Sequence, residues 1–186
     1  MKKFQIFVFN KSVDIAETTY IIIRNFNGEL EINNTALKIG KNVEKVTEVL
    51  IYDSSVKDVD ILLNGLDDNV RAIAVWEKDS IFFLKQILLS SNYETIHILG
   101  HGAPGQVTLG DLTLNTASWN EFFNQPHANY KNTPSRVNFW SCNTGKGESG
   151  MKFLNEISKT LDATVSGSST LVGHEKAGGN WELDVM

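Results

Sequence analysis

Five strand-length stretches from residue 46 onward restrict the fold of this chain more than any other feature. They are Val46 to Tyr52 (VTEVLIY), Val70 to Trp76, Thr95 to Gly100, Val137 to Trp140, and Ala163 to Ser169. Each has strand length and ends at turn-forming residues, and the first four are rich in β-branched and aromatic residues. Between these stretches, apolar residues recur at helical spacing. Val56, Val59, Leu63 and Leu66 form one such set, and Ile81, Phe83, Leu84, Ile87 and Leu88 a second. Trp119, Phe122 and Phe123 form a third, and Phe153, Leu154, Ile157 and Leu161 a fourth. Strands that alternate with helices predict a three-layer α/β domain. Its sheet is mostly parallel, of about six strands with Trp181 to Val185 as the last, and helices cover both faces.

Local signals mark some of the boundaries. Ser55 and Asp58 are spaced like a helix start, and Asn115 or Thr116 can cap the helix that carries Trp119. Val107 and Leu109 alternate, Gly110-Asp111 turns, and Leu112 and Leu114 alternate back, which predicts a hairpin. Residues 1–45 read as all-β instead: Gln5 to Phe9, Thr18 to Arg24, an Asn27-Gly28 turn into Glu29 to Ile32, and Ala36 to Ile39. The expected organisation is therefore an N-terminal β extension, 1–45, and an α/β domain, 46–186. The extension's strands carry apolar residues on both faces, so they are expected to pack on the α/β body.

Composition excludes several function classes. The net charge is −5, and no Lys/Arg cluster marks a nucleic-acid-binding face. No apolar stretch approaches the roughly 18 residues needed to span a membrane. The opening MKKFQIFVFNKSVD reads as a strand and not a signal peptide, so a cytoplasmic location is the default expectation.

Chemistry concentrates at two strand ends. Ile96 to Gly100 runs into a turn, His101-Gly102-Ala103-Pro104-Gly105, and Val137 to Trp140 runs into Ser141-Cys142. Cys142 is the single cysteine in 186 residues, so it is neither half of an internal disulfide nor part of a multi-cysteine zinc site. Open α/β sheets place their chemistry outside the carboxyl ends of the strands. Taken alone, such a cysteine is as readily a small buried hydrophobe, and such a histidine a hydrogen-bonded structural residue. Their parallel placement favours a thiol–imidazole pair. Trp140 and Thr144 stand where a nucleophile elbow of the α/β-hydrolase kind needs glycines. His97 sits inside a strand, which weakens a His97, His101, Cys142 metal set, and no cofactor is expected.

A strand ending in His-Gly, followed 41 residues later by a strand ending in Ser-Cys, resembles the caspase–gingipain superfamily of cysteine peptidases. More narrowly, ILGHGAPG, FWSCNTGKGESGMKFLNEI and the closing GGNWELD resemble a bacterial domain of unknown function carried by long, repeat-rich, adhesin-like surface proteins. The resemblance covers roughly residues 47 to 186 and implies a caspase-like fold and a protein or peptide substrate. It implies Cys142 as the nucleophile, His101 as the acid for the leaving amine, and the N–H groups of Gly102 and Cys142 as oxyanion donors. It implies pocket residues at Asp53, Trp140, Ser166 and Ser168. Asp53 there would suit a basic side chain, while the residues alone favour an Asx-turn or helix-start residue. It also implies a cell-surface setting if the chain belongs to a larger secreted protein. Two function classes follow: a cysteine endopeptidase, with the protein it accompanies as one candidate substrate, and a non-catalytic interaction domain on the same fold. The sequence leaves the oligomeric state and activation trigger open.

Overall fold

The structure, a computed structural model, describes residues 5–9, 20–24, 30–31, 46–75, 81, 84–85, 87–88, 93–123 and 133–186. The chain divides into two units, Met1–Val43 and Glu44–Met186. In the first, β1 (Gln5–Phe9), β2 (Tyr20–Arg24) and β3 (Leu30–Glu31) form an antiparallel sheet in that order. The strand expected over Ala36 to Ile39, the Asn27-Gly28 turn and the packing of this unit's side chains lie outside the described residues.

The second unit begins with β4 (Glu48–Asp53), α1 (Val59–Leu63), β5 (Val70–Val75) and β6 (Thr95–Leu99). Three short strands follow: β7 (His101–Ala103), β8 (Gln106–Leu109) and β9 (Leu112–Asn115). The chain closes with α2 (Thr116–Phe123), β10 (Arg136–Trp140), α3 (Gly147–Leu161) and β11 (Thr164–Gly167). The main sheet has the order β11-β10-β6-β4-β5, and every pairing in it is parallel. Its order reverses between β4 and β6.

Register and alternation divide the sheet into two unlike faces. Val49, Ile51, Ile96, Ile98, Val137 and Phe139 share one face and are fully buried. They belong to one core with Leu84, Ile87 and Leu88 of the segment before β6, with Trp119 and Phe123 of α2, and with Phe153, Leu154, Ile157 and Leu161 of α3. Right-handed crossovers put those helices on this face and α1 on the other. The α1 face has Leu50 and Leu99 buried among polar neighbours, Glu48, His97 and Asn138.

Three elements differ from expectation. The first helix is five residues long, and Val56 is not in it. Asp53 explains this: its carboxylate takes the Ser55 N–H at 2.7 Å and its carbonyl takes the Val56 N–H at 3.1 Å, so a turn occupies the would-be first helical residues. The segment Trp181 to Val185 is not a sixth sheet strand. Within it Val185 bridges antiparallel to Gly167, and the main sheet has five strands among the described residues. His101-Gly102-Ala103 is a strand and not a turn; it pairs antiparallel with β8, and β8 with β9, in a separate small sheet. The predicted β8–β9 hairpin is present. Of the two candidate caps for α2, Asn115 acts: its Oδ1 accepts from the N–H groups of Ala117 and Ser118 at 2.9 and 3.1 Å.

Candidate functional site

The geometry starts from the pairing of β6 and β10. They are neighbours in parallel register, from Arg136 opposite Thr95 to Trp140 opposite Leu99. His101 stands two residues beyond Leu99, and Cys142 two beyond Trp140. Both therefore leave the sheet at the same end of adjacent strands.

Gly102 sets how closely the two strand ends approach. A Cβ at this position would lie 2.4 Å from the Cys142 carbonyl oxygen and 2.7 Å from Thr144 Oγ1. Only a residue without that atom lets β7 lie against the cysteine turn. Two further bonds fasten them. The Gly105 N–H donates to the Thr144 carbonyl at 3.1 Å, and the Thr144 hydroxyl donates to the Gln106 carbonyl at 3.2 Å.

The cysteine turn is held from its other side by the segment after β11. The Asn143 N–H donates to the Thr170 carbonyl at 2.7 Å, and the Gly145 N–H to the Ser168 carbonyl at 2.9 Å. The half-buried Cys142 thiol joins this seam. Its S–H donates to the Val172 carbonyl at 3.7 Å, and its sulfur accepts the Val172 N–H at 3.4 Å. The thiol's described hydrogen bonds are thus both with Val172 and not with His101, whose side chain is exposed. Ser141, 1% exposed, has a buried Oγ with no hydrogen-bond partner among the described residues.

Of the residues implied as a pocket, three are buried. Asp53 is 2% exposed, and its oxygens accept from the N–H groups of Ser55 and Gly110, the latter at 2.8 Å. This is the Asx-turn reading of that residue. Burial pushes its carboxyl upward, but the Ser55 hydroxyl, the Gly110 and Ser55 N–H groups and the charge of His101 outweigh that and hold it below the ordinary 3.8. Ser166 and Ser168 are also buried, and the Ser168 hydroxyl is engaged by Thr170. Trp140 is half-buried. Its indole N–H donates to His97 Nδ1 at 3.0 Å, which leaves His97 Nε2 to donate to Glu48 Oε2 at 2.8 Å. His97 is therefore a hydrogen-bonded residue of the sheet face. The Trp140 ring meets Trp181, 47% exposed, at 6.2 Å between centroids. His174 is exposed and caps a short 3₁₀ turn, while His127 lies outside the described residues. No three His, Cys, Asp or Glu side chains cluster as metal ligands among the described residues. No described helix is long and apolar enough to cross a membrane.

The model of the family named Domain of unknown function (DUF4347) matches residues 49–186. The chain belongs to this family. The match begins inside β4 and runs to the last residue, so it takes in His101, Cys142 and the segment that binds the thiol. No curated protein matches the sequence.

Sequence reasoning missed Val172, Trp181 and the Ser169–Asp184 contact, in which the Ser169 N–H and hydroxyl both donate to the Asp184 carboxylate. Val172 meets the thiol through its main chain, which no residue type advertises. Ser169 and Asp184 carry the chemistry of a tie, but 15 residues separate them.

Proposed function

We propose that this DUF4347 domain is a cysteine endopeptidase of the caspase–gingipain kind, with His101 and Cys142 as its dyad. The observation that carries the reading is the in-register pairing of β6 with β10, which brings both residues out at one edge of the sheet. The close seat of Gly102 on the Cys142 carbonyl supports it.

In this reading the Cys142 thiolate attacks a peptide carbonyl, and the N–H groups of Gly102 and Cys142 hold the oxyanion. His101 protonates the departing amine. A water then cleaves the acyl-enzyme, giving up its proton to His101 and releasing the Cys142 thiolate. The resting thiol must first exchange its Val172 contact for the imidazole. Substrate side chains would meet the sheet end near Trp140, the accessible member of the pocket set.

A second reading, a non-catalytic interaction domain, draws on that same Val172 contact, because a thiol satisfied by its own backbone needs no histidine. A peptide-library cleavage screen with wild type and Cys142→Ala in parallel separates the two. Cleavage lost in the variant supports the peptidase. Absence of cleavage, together with thiol alkylation at neutral pH that is no faster than a free cysteine's, supports the interaction domain.

A further inference from the structure

On the α1 face of the sheet, the chemistry above gives no part to a bonded titratable pair, Glu48 and His97. We propose that Glu48, His97, Asn138 and Trp140 form a proton-driven switch: a second proton on the His97 ring breaks its bond to Trp140 and loosens the segment that holds the Cys142 thiol. The inference goes beyond the peptidase reading and stands whether or not the thiol pairs with His101.

The ring has a different kind of partner on each nitrogen. Nε2 meets Glu48 Oε2 at 2.8 Å, and the other Glu48 oxygen accepts from Asn69 Nδ2 at 3.2 Å. Nδ1 accepts the Trp140 indole N–H at 3.0 Å. An indole nitrogen only donates, so this bond requires a bare Nδ1, and the single ring proton sits on Nε2. A second proton can enter only at Nδ1. It makes that nitrogen a donor facing another donor, and the Trp140 bond is lost. Glu48 accepts from Nε2 in both ring states, so only the Trp140 side changes. Asn138 supplies the second state. Its amide nitrogen lies 3.4 Å from Nδ1, and half a turn of the amide presents its oxygen to the new N–H. Glu48 and Asn138 then hold the charged ring, and Trp140 is free. Solvent protons reach the site, because the His97 and Glu48 side chains are 18% and 30% exposed.

Trp140 touches the thiol's surroundings from two directions. Along the chain, Cys142 follows it by two residues. Across space, its ring meets that of Trp181 at 6.2 Å between centroids. Trp181 follows Asn180, whose N–H donates to the Leu171 carbonyl at 2.9 Å and whose carbonyl accepts the Gly173 N–H at 3.0 Å. Val172, between Leu171 and Gly173, makes both described hydrogen bonds of the thiol. An indole that leaves His97 therefore withdraws support from the Trp181 end of that segment. The other charged or titratable groups around His97 lie further along the same face. Tyr52 stands beyond Leu50 on β4, exposed Arg136 precedes Asn138 on β10, and exposed His101 follows Leu99. Asp60 of α1 and Glu182 beside Trp181 are exposed.

The test uses the full chain and needs no peptide cleavage, so failure of the dyad leaves it intact. NMR follows the His97 ring and the Trp140 indole N–H through an acid titration, in wild type and in His97→Asn, which keeps an acceptor oxygen but no titrating ring. In wild type the indole resonance should move upfield, as its hydrogen bond is lost, with the midpoint of His97 itself; in the variant it should hold its position. Iodoacetamide alkylation of Cys142 reads the consequence. The wild-type rate divided by the variant's should rise as the pH falls through that midpoint. An indole resonance that ignores the His97 titration, or that moves equally in the variant, overturns the proposal, and so does a constant ratio of alkylation rates. If His97→Asn does not fold, the wild type still decides. A stationary indole overturns the switch, as does a Val172 amide whose hydrogen exchange, corrected for intrinsic pH dependence, shows no step at the His97 midpoint.

Discussion

A thiol that gives its proton to a backbone carbonyl is not yet a nucleophile. Cys142 makes that bond with Val172, so reactivity depends on an exchange of partners that costs two sulfur hydrogen bonds. Cys142→Ala should abolish peptide cleavage with the fold intact, since it removes one sulfur from a turn held by main-chain bonds of Asn143 and Gly145. His101→Ala should lower kcat/KM by about 10²–10⁴-fold, the usual worth of general acid–base catalysis. Both are read by peptide cleavage with circular dichroism as the fold control. The neighbouring Ser141 gives a different kind of prediction. Its buried Oγ has no partner among the described residues, and an unmade hydrogen bond on a buried hydroxyl is a penalty. Ser141→Ala should be neutral or stabilising by up to about 1 kcal/mol in denaturant unfolding. A loss of about 1 kcal/mol or more would mean that this hydroxyl has a partner. In the sequence Ser141 is only the small residue that ends an apolar run; whether its oxygen is satisfied depends on how β7 packs above it.

At the scale of elements, what could be read from sequence is what burial writes into it. β4, β5, β6 and β10 are visible through the apolar residues of the face they share, which packs on one core. α3 is likewise visible in the spacing of Phe153, Leu154, Ile157 and Leu161, all of which turn inward. The small strand β7 left no such trace. His-Gly-Ala has no alternation to detect, and Pro104-Gly105, the actual turn, follows so closely that all five residues read as one loop. The predicted strand Trp181 to Val185 failed in the opposite way: its pattern is strand-like, but only Val185 finds a ladder partner, Gly167. Part of the candidate site was equally visible, since His101 and Cys142 both end strands, whereas the adjacency of those strands is a property of topology and not of either motif. β7 carries the sharpest test of the site's assembly. Gly102→Ala places a methyl 2.4 Å from the Cys142 carbonyl oxygen and 2.7 Å from Thr144 Oγ1, so either β7 or the cysteine turn must move. The expected cost is that of overpacking, about 1–3 kcal/mol. Cleavage activity should fall further than stability does, because the displaced atoms are those that would aim the proposed dyad. Unfolding curves and peptide cleavage on the same variant check this; a full loss of stability with unchanged activity in the remaining folded protein would detach Gly102 from the site.

For the molecule as a whole, acid is the natural probe, because two carboxylates tie distant parts of the second unit together. Asp53 joins β4 to the β8–β9 turn, and Asp184 joins the chain's last residues to Ser169. Both are held below the ordinary 3.8, Asp184 chiefly by the Ser169 hydroxyl and N–H. A carboxyl depressed in the folded state binds fewer protons there than in the unfolded chain. Its contribution is therefore complete above the unfolded value of 3.8 and disappears as the pH falls through the lower folded value. Asp184 is exposed, so its share is also weakened by salt. Its position matters more than its strength. Ser169 stands between Ser168 and Thr170, whose carbonyls accept the N–H groups of Gly145 and Asn143, both in the turn that follows Cys142. Loosening Asp184 should therefore loosen the segment that binds the Cys142 thiol. Hydrogen exchange at the Asn143 and Gly145 amides reads this directly, after correction for the intrinsic pH dependence of exchange. Asp184→Asn should exchange faster than wild type at neutral pH. Wild type should approach the variant's rate as the pH falls below 3.8, and the variant should show less acid dependence of its own. Equal protection of the two proteins at neutral pH would mean that the Val172 segment is held against the thiol by its main-chain bonds alone, with Asp184 no more than a surface partner of Ser169.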